Sequence, residues 1–184
     1  MFVKKRILGV VPVGDTPGLA AKVIAAHITG YLHLGAEVLS ARNQPVAAYD
    51  ERRFQYNAGA LLKVFEAISF GNYEKVVAVM NVDLFVPIMS HVFGEARQGG
   101  KIALVSLFRL HTEMDGSTSS SSLTYERAAK VALHEVGHLY NLVHCEDHRC
   151  LMHFAGQLKQ LDETPPYFCR YCSKFFEDAL KKRA

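Results

Sequence analysis

The chain has no tryptophan, no cysteine before position 145, and no apolar run long enough to cross a bilayer. The first such run, Ile7-Leu8-Gly9-Val10-Val11, is interrupted by Pro12 and falls far short of the about 20 residues a spanning helix needs. Ahead of it, Met1-Phe2-Val3-Lys4-Lys5-Arg6 has no small-residue cleavage site, which argues against secretion. The four cysteines therefore read as reduced thiols rather than disulfide partners. Charge is also nearly balanced, at +3. Its basic clusters, Lys4-Lys5-Arg6 and Lys181-Lys182-Arg183, read as solvated termini, so no extended nucleic-acid stripe is present. These absences predict a cytoplasmic protein with neither a membrane nor a nucleic-acid partner, and they leave its oligomeric state open.

What is present is an ordinary core: 184 residues, 49% hydrophobic and 21% charged, suit one domain over 1–184. Short β-branched or aromatic runs at 6–13, 36–43, 75–84, 90–96 and 101–108 predict five strands. Thr16 can cap a helix that starts at Pro17 and closes near Gly30. A second helix should follow Asn57, with Leu61, Leu62, Phe65 and Ile68 apolar, and stop at Gly71. Alternation of strands and helices predicts an α/β fold with at least the first three strands parallel. The Gln98-Gly99-Gly100 turn suits a hairpin, so one of the last two strands should run antiparallel at an edge of a mixed five-stranded sheet. Residues 116–122, Gly-Ser-Thr-Ser-Ser-Ser-Ser, suggest a mobile surface loop before a third helix capped by Ser122 or Thr124.

That third helix carries the chemistry. Ala129, Leu133, Val136 and Tyr140 form an apolar face. His134 and His138 lie one turn apart on the other side, close enough to reach one tetrahedral ion, and Glu135 is placed to take a proton from a metal-activated water. His144 would sit about 240° away on a continuing helix, so it can join them only if the helix ends first. Asn141 readily adopts the left-handed conformation that such an ending requires. Three imidazoles leave a fourth position open, the arrangement of a catalytic zinc, and amide hydrolysis is the natural reaction.

All four cysteines follow closely. Cys145, Cys150, Cys169 and Cys172 have a spacing that fits a closed, structural zinc site, stapling a segment from about 145 to 184 to the end of the helix. Four ordinary buried cysteines, or a redox pair at Cys169 and Cys172, are the alternatives. On composition alone Met152 reads as core filling.

His134 to His144 is similar to the metzincin pattern H-E-x-x-H-x-x-G-x-x-H, with Asn141 standing where that pattern has Gly. Cys145, Cys150, Met152 and the Cys169-x-x-Cys172 pair extend the resemblance to the archaemetzincins, as do residues 49–53, 55–58 and 92–96. The resemblance implies a zinc metallopeptidase of metzincin-like fold with two zinc ions. It gives Glu135 as general base and Met152 as the Met-turn residue beneath the active site. It also implies a peptide or protein substrate extended along an antiparallel edge strand, for which 101–108 is the candidate, and an activity that can be aminopeptidase-like.

The competing reading keeps both ions in a catalytically weak or inactive peptide-binding module. His27, His33, His91 and His111 read as surface or satisfied core residues. His148, His153, Tyr140, Tyr167 and Tyr171 are open candidates for a transition-state donor, and Phe168, Tyr171, Phe175 and Phe176 should form the apolar side of a last helix.

Overall fold

The central strands of the main sheet are runs of mostly β-branched and small apolar residues, which are stable where both faces are covered, and that is the arrangement found. A computed structural model describes residues 7–113 and 115–182; the Lys4-Lys5-Arg6 cluster and Arg183 lie outside the described residues. The main sheet has the order β2-β1-β5-β9-β8. Its strands are β1 (Ile7–Pro12), β2 (Gly35–Val38), β5 (Lys75–Met80), β9 (Ile102–Ser106) and β8 (Gly94–Ala96). The first four are parallel, and β8 pairs antiparallel with β9 at the edge. This is the predicted mixed five-stranded sheet.

Alternate residues of each strand feed two cores. Leu8, Val10, Val77, Val79, Ala103 and Val105 pack under α1 (Gly18–Leu32) and α3 (Ser121–Leu139). Val11, Val76, Ala78, Met80 and Leu104 pack under α2 (Ala58–Glu66) on the other face.

Several local expectations are corrected. The edge strand is β8; residues 101–108 contain β9, which lies between β5 and β8 and cannot receive a substrate strand. The predicted strand 90–96 is two strands, because the chain crosses between sheets at buried Phe93: β7 (Met89–Val92) pairs with β6 (Leu84–Val86), and β8 with β9. With β3 (Tyr49–Asp50) and β4 (Gln55–Asn57), these build a small second sheet, β3-β4-β6-β7, whose strands are too short to show a sequence period.

Caps differ too. Pro17 is the N-cap of α1, while the Thr16 hydroxyl donates to the Val13 and Val79 carbonyls at 2.6 and 3.1 Å. Gly30 stays helical, and His33 takes the left-handed position. Asn57 caps α2 as expected, accepting from the Ala60 amide at 3.0 Å, but that helix ends at Glu66, before Gly71. Ser120 caps α3, accepting from the Leu123 amide, so the serine run partly serves to start that helix.

The C-terminal part holds α4 (Leu158–Glu163) and α5 (Arg170–Lys181). Phe176 is buried and Phe168 packs against it, with ring centroids 5.2 Å apart. Tyr171 and Phe175 are 62% and 67% exposed, against expectation. The helix must turn Cys172 and Phe176 inward, one turn apart, and the preceding residue of each is rotated about 100° away. No described helix is long and apolar enough to cross a membrane.

Candidate active site and metal centres

The active-site helix ends where the sequence indicates. Asn141 has φ of 69°, its amide donates to the His138 carbonyl at 2.9 Å, and the Leu142 amide reaches back to the Gly137 carbonyl at 3.0 Å. This is a Schellman turn with Asn141 in place of glycine. The β8–β9 hairpin seals it: the Gly99 amide donates to the His138 carbonyl at 2.9 Å, and the Gln98 side chain donates to the Asn141 carbonyl at 3.1 Å.

The turn brings His144 back over the helix. Its ring centroid lies 5.3 Å from that of His134 and 4.9 Å from that of His138. One ligand atom from each of the three histidines falls within 4.8 Å of the others. His134 Nδ1 bonds the Leu151 carbonyl and His138 Nδ1 the Leu142 carbonyl, each at 2.8 Å. A carbonyl only accepts, so both Nδ1 atoms carry hydrogen, and in the neutral rings both Nε2 atoms then present lone pairs. Those two Nε2 atoms are 3.1 Å apart. Two lone pairs at that distance repel unless a cation lies between them, and a tetrahedral zinc with bonds of about 2.0–2.1 Å needs nitrogens about 3.3 Å apart. The residues thus fit the ion, with their outer nitrogens oriented by backbone carbonyls.

Electrostatics agree. Burial, with neighbouring His138 adding to it, pushes His134 down to about 3, and burial also lowers His138 and His144. All three are neutral, as ligands must be. Glu135, only 7% exposed, is pushed well above the usual carboxylate range by burial and then by the Glu95 carboxylate.

The four cysteines also converge, with their sulfurs all within 4.8 Å of one another and Cys145 Sγ 4.0 Å from Cys169 Sγ. All are free thiols. Cys169 sits at the N-cap of α5, where burial raises its pKa but the amides of Cys172 and Tyr171 outweigh it and bring it to about 7. The Cys169 amide donates to Cys150 Sγ at 3.3 Å. Four sulfurs in a ring of amides fit a closed zinc site.

Met152 is fully buried, and its sulfur packs on Gly137 inside the active-site helix. The trio and Glu135 open on a cavity of about 700 Å³, bordered by β8, by Pro87 and Ile88 of the β6–β7 hairpin, and by Lys130, His153 and Leu161. Of the five candidate donors, His153 alone borders it; His148, Tyr140, Tyr167 and Tyr171 do not.

The sequence pattern of Peptidase family M54 matches residues 22–178. The chain belongs to that family. An archaemetzincin of Halobacterium salinarum is 33% identical over 168 residues, covering 90% of this chain and 96% of that one. Another, from Methanocaldococcus jannaschii, is 34% identical over 167 residues, covering 91% and 90%. The crystal structure of the Methanopyrus kandleri archaemetzincin superposes with a TM-score of 0.85 at 32% identity, covering 97% of this chain and 98% of that one. As an M54 member the chain is a zinc metallopeptidase, a hydrolase acting on peptides or proteins.

Sequence reasoning missed four features of this M54 site: Gly94, Gly137, the Leu151 carbonyl and Lys130. A signal existed for Gly137, since glycine inside a helix costs about 1 kcal/mol against alanine and marks a close approach. None existed for the Leu151 carbonyl, because backbone groups carry no side-chain signature.

Proposed function

We propose that His134, His138 and His144 hold the catalytic zinc, that Glu135 is the general base, and that Cys145, Cys150, Cys169 and Cys172 hold a second, structural zinc. The observation that carries this reading is the pair of facing Nε2 lone pairs at 3.1 Å beside a buried carboxyl. A zinc ion held there supplies Lewis acidity, polarising the scissile carbonyl and lowering the pKa of a water to about 7. Glu135 takes the proton from the attacking water and delivers it to the leaving amine. Leu151 and Leu142 keep His134 and His138 in the ligating tautomer through their carbonyls. Met152 acts as the Met-turn, supporting the helix from below at Gly137.

The finer activity is aminopeptidase-like. Glu95 borders the cavity on the edge strand, burial raises its pKa, and no described Lys or Arg lies within ion-pair distance of it. A substrate's free α-ammonium supplies the missing cation. The whole chain works as one peptidase domain, with the segment from about 145 to 184 stapled by the second zinc. Its four reduced thiols suit the cytoplasm.

The test is Glu135→Ala in zinc-loaded protein. It should retain both ions by elemental analysis and lose cleavage of a mixed peptide library by about a hundredfold or more. Cleavage at the parent rate would remove the proposed base. A parent protein with two zincs and no cleavage would point to a peptide-binding module.

A further inference from the structure

We propose that Lys130 determines specificity by receiving a substrate carboxylate in the cavity that it borders together with His134. The proposal rests on the catalytic reading of the histidine trio. Lys130 lies one helical turn before His134 and borders the same cavity as the trio. It is only 8% exposed. Its ammonium donates to two backbone carbonyls at the end of α4, those of Leu161 at 3.2 Å and Asp162 at 2.9 Å. Carbonyl dipoles are partial partners for a full charge, and among the described residues no carboxylate lies within ion-pair distance of it.

The side chain of Asp162, whose carbonyl Lys130 bonds, is already committed. It is gripped by both arms of Arg127, Nε to Oδ1 and a terminal nitrogen to Oδ2, each at 2.7 Å. Arg127 also donates to the carbonyls of Leu110 and Thr112 at 2.9 and 3.0 Å. This clamp fixes α4 against α3, and with it the two acceptors that hold Lys130. The helix therefore carries two buried cations one turn apart: the first is neutralised inside the protein, and the second borders the substrate cavity without a counter-ion.

The surroundings select the group that completes it. Val131, Leu161, Ala155 and Thr164 border the cavity with Lys130 and offer no competing charge. An ammonium with two of its three N–H groups on carbonyls favours a carboxylate over a neutral amide of the same shape for the third. Two sources could supply it: an acidic side chain on a residue flanking the cleaved bond, or the carboxyl terminus of a short peptide.

Binding separates this proposal from turnover. Zinc-loaded Glu135→Ala protein is titrated by calorimetry with amidated alanine hexapeptides carrying one Glu, scanned through all positions, and with Gln at the same positions. An all-alanine hexapeptide with a free carboxyl terminus completes the set. At one position Glu should bind about ten- to a hundredfold more tightly than Gln, or the free terminus should show that gain over its amide; which of the two does identifies the source. Adding Lys130→Gln, which keeps a donor for the Leu161 and Asp162 carbonyls, should bring that ratio to about one, and Lys130→Arg should restore it. If Lys130→Gln does not fold, judged by thermal melting and zinc content, Lys130→Met carries the same comparison. No carboxylate preference at any position, or a preference that survives loss of the ammonium, overturns the proposal. Absence of cleavage by the parent protein would instead count against the peptidase reading, since the binding ratio is read independently of it.

Discussion

Gly94 lies so close to Glu135 that a β-carbon at position 94 would stand 2.9 Å from Glu135 Cγ, 2.8 Å from the Leu104 carbonyl oxygen and 2.7 Å from Val131 Cγ1. The edge strand thus reaches Glu135 only because it has no side chain at position 94. Gly94→Ala should separate β8 from α3 and displace Glu135, and the backbone oxygen among its neighbours makes the overlap hard to relieve. We expect a loss of about 1–3 kcal/mol in urea denaturation, with peptidase turnover falling more than zinc content. An alanine variant as stable and active as the parent would show that β8 can draw back freely.

The main features of the site were readable because they are side-chain signals at fixed spacing. His134, Glu135 and His138 follow from helical geometry, and Asn141 signals the left-handed turn that His144 requires. The centre of the main sheet was readable for a similar reason: its strands are continuous, mainly apolar runs that feed two cores. The second sheet was not, because two- to four-residue strands show no period, and Met89–Val92 and Gly94–Ala96 look like one strand when only Phe93 separates them. Lys130 and Arg127 look alike in sequence, as two cations on one helix. Only the fold shows that Asp162 reaches one of them and not the other.

The hairpin above the cavity depends on a titratable pair. Burial alone would raise Asp83, but hydrogen bonds from Arg109 and Gln55 outweigh it and hold the carboxyl below its usual range. Arg109 meets it with two nitrogens at 2.7 and 2.6 Å, and Gln55 links it to the Ser90 carbonyl on β7. A carboxylate lowered on folding contributes stability above its unfolded pKa of about 4, and that contribution disappears as pH falls through the lower folded value. The parent should therefore exceed Arg109→Gln by about 1 kcal/mol at pH 7, since Arg109 is partly solvated. The gap should close below about pH 4. Urea denaturation of both proteins from pH 7 to 3 checks this; a gap that stays constant with pH would dissociate Asp83 from the effect.

The two proposed metal centres share backbone at two points, so damage to one should be felt at the other. Cys145 directly follows His144, and Leu151, whose carbonyl orients His134, lies between Cys150 and Met152. The Cys145 amide closes the loop on the Met152 carbonyl at 2.8 Å, and the His153 ring meets the Cys145 carbonyl at 3.0 Å. Cys169→Ser removes the sulfur whose pKa is brought down to about 7 and should lower the zinc content from two ions to one by elemental analysis. With the loop no longer stapled, the Leu151 carbonyl loses its fixed place. The remaining zinc should then bind about ten- to a hundredfold more weakly, the usual effect of removing an outer hydrogen bond to a ligating histidine. Competition with a chromophoric chelator measures that affinity, and hydrogen exchange at the Cys145 and Leu151 amides reports the loosening directly. If stoichiometry falls to one while the affinity of the histidine site and the protection of both amides are unchanged, the sites are neighbours without being coupled, because His134 then keeps its orientation without help from the cysteine loop.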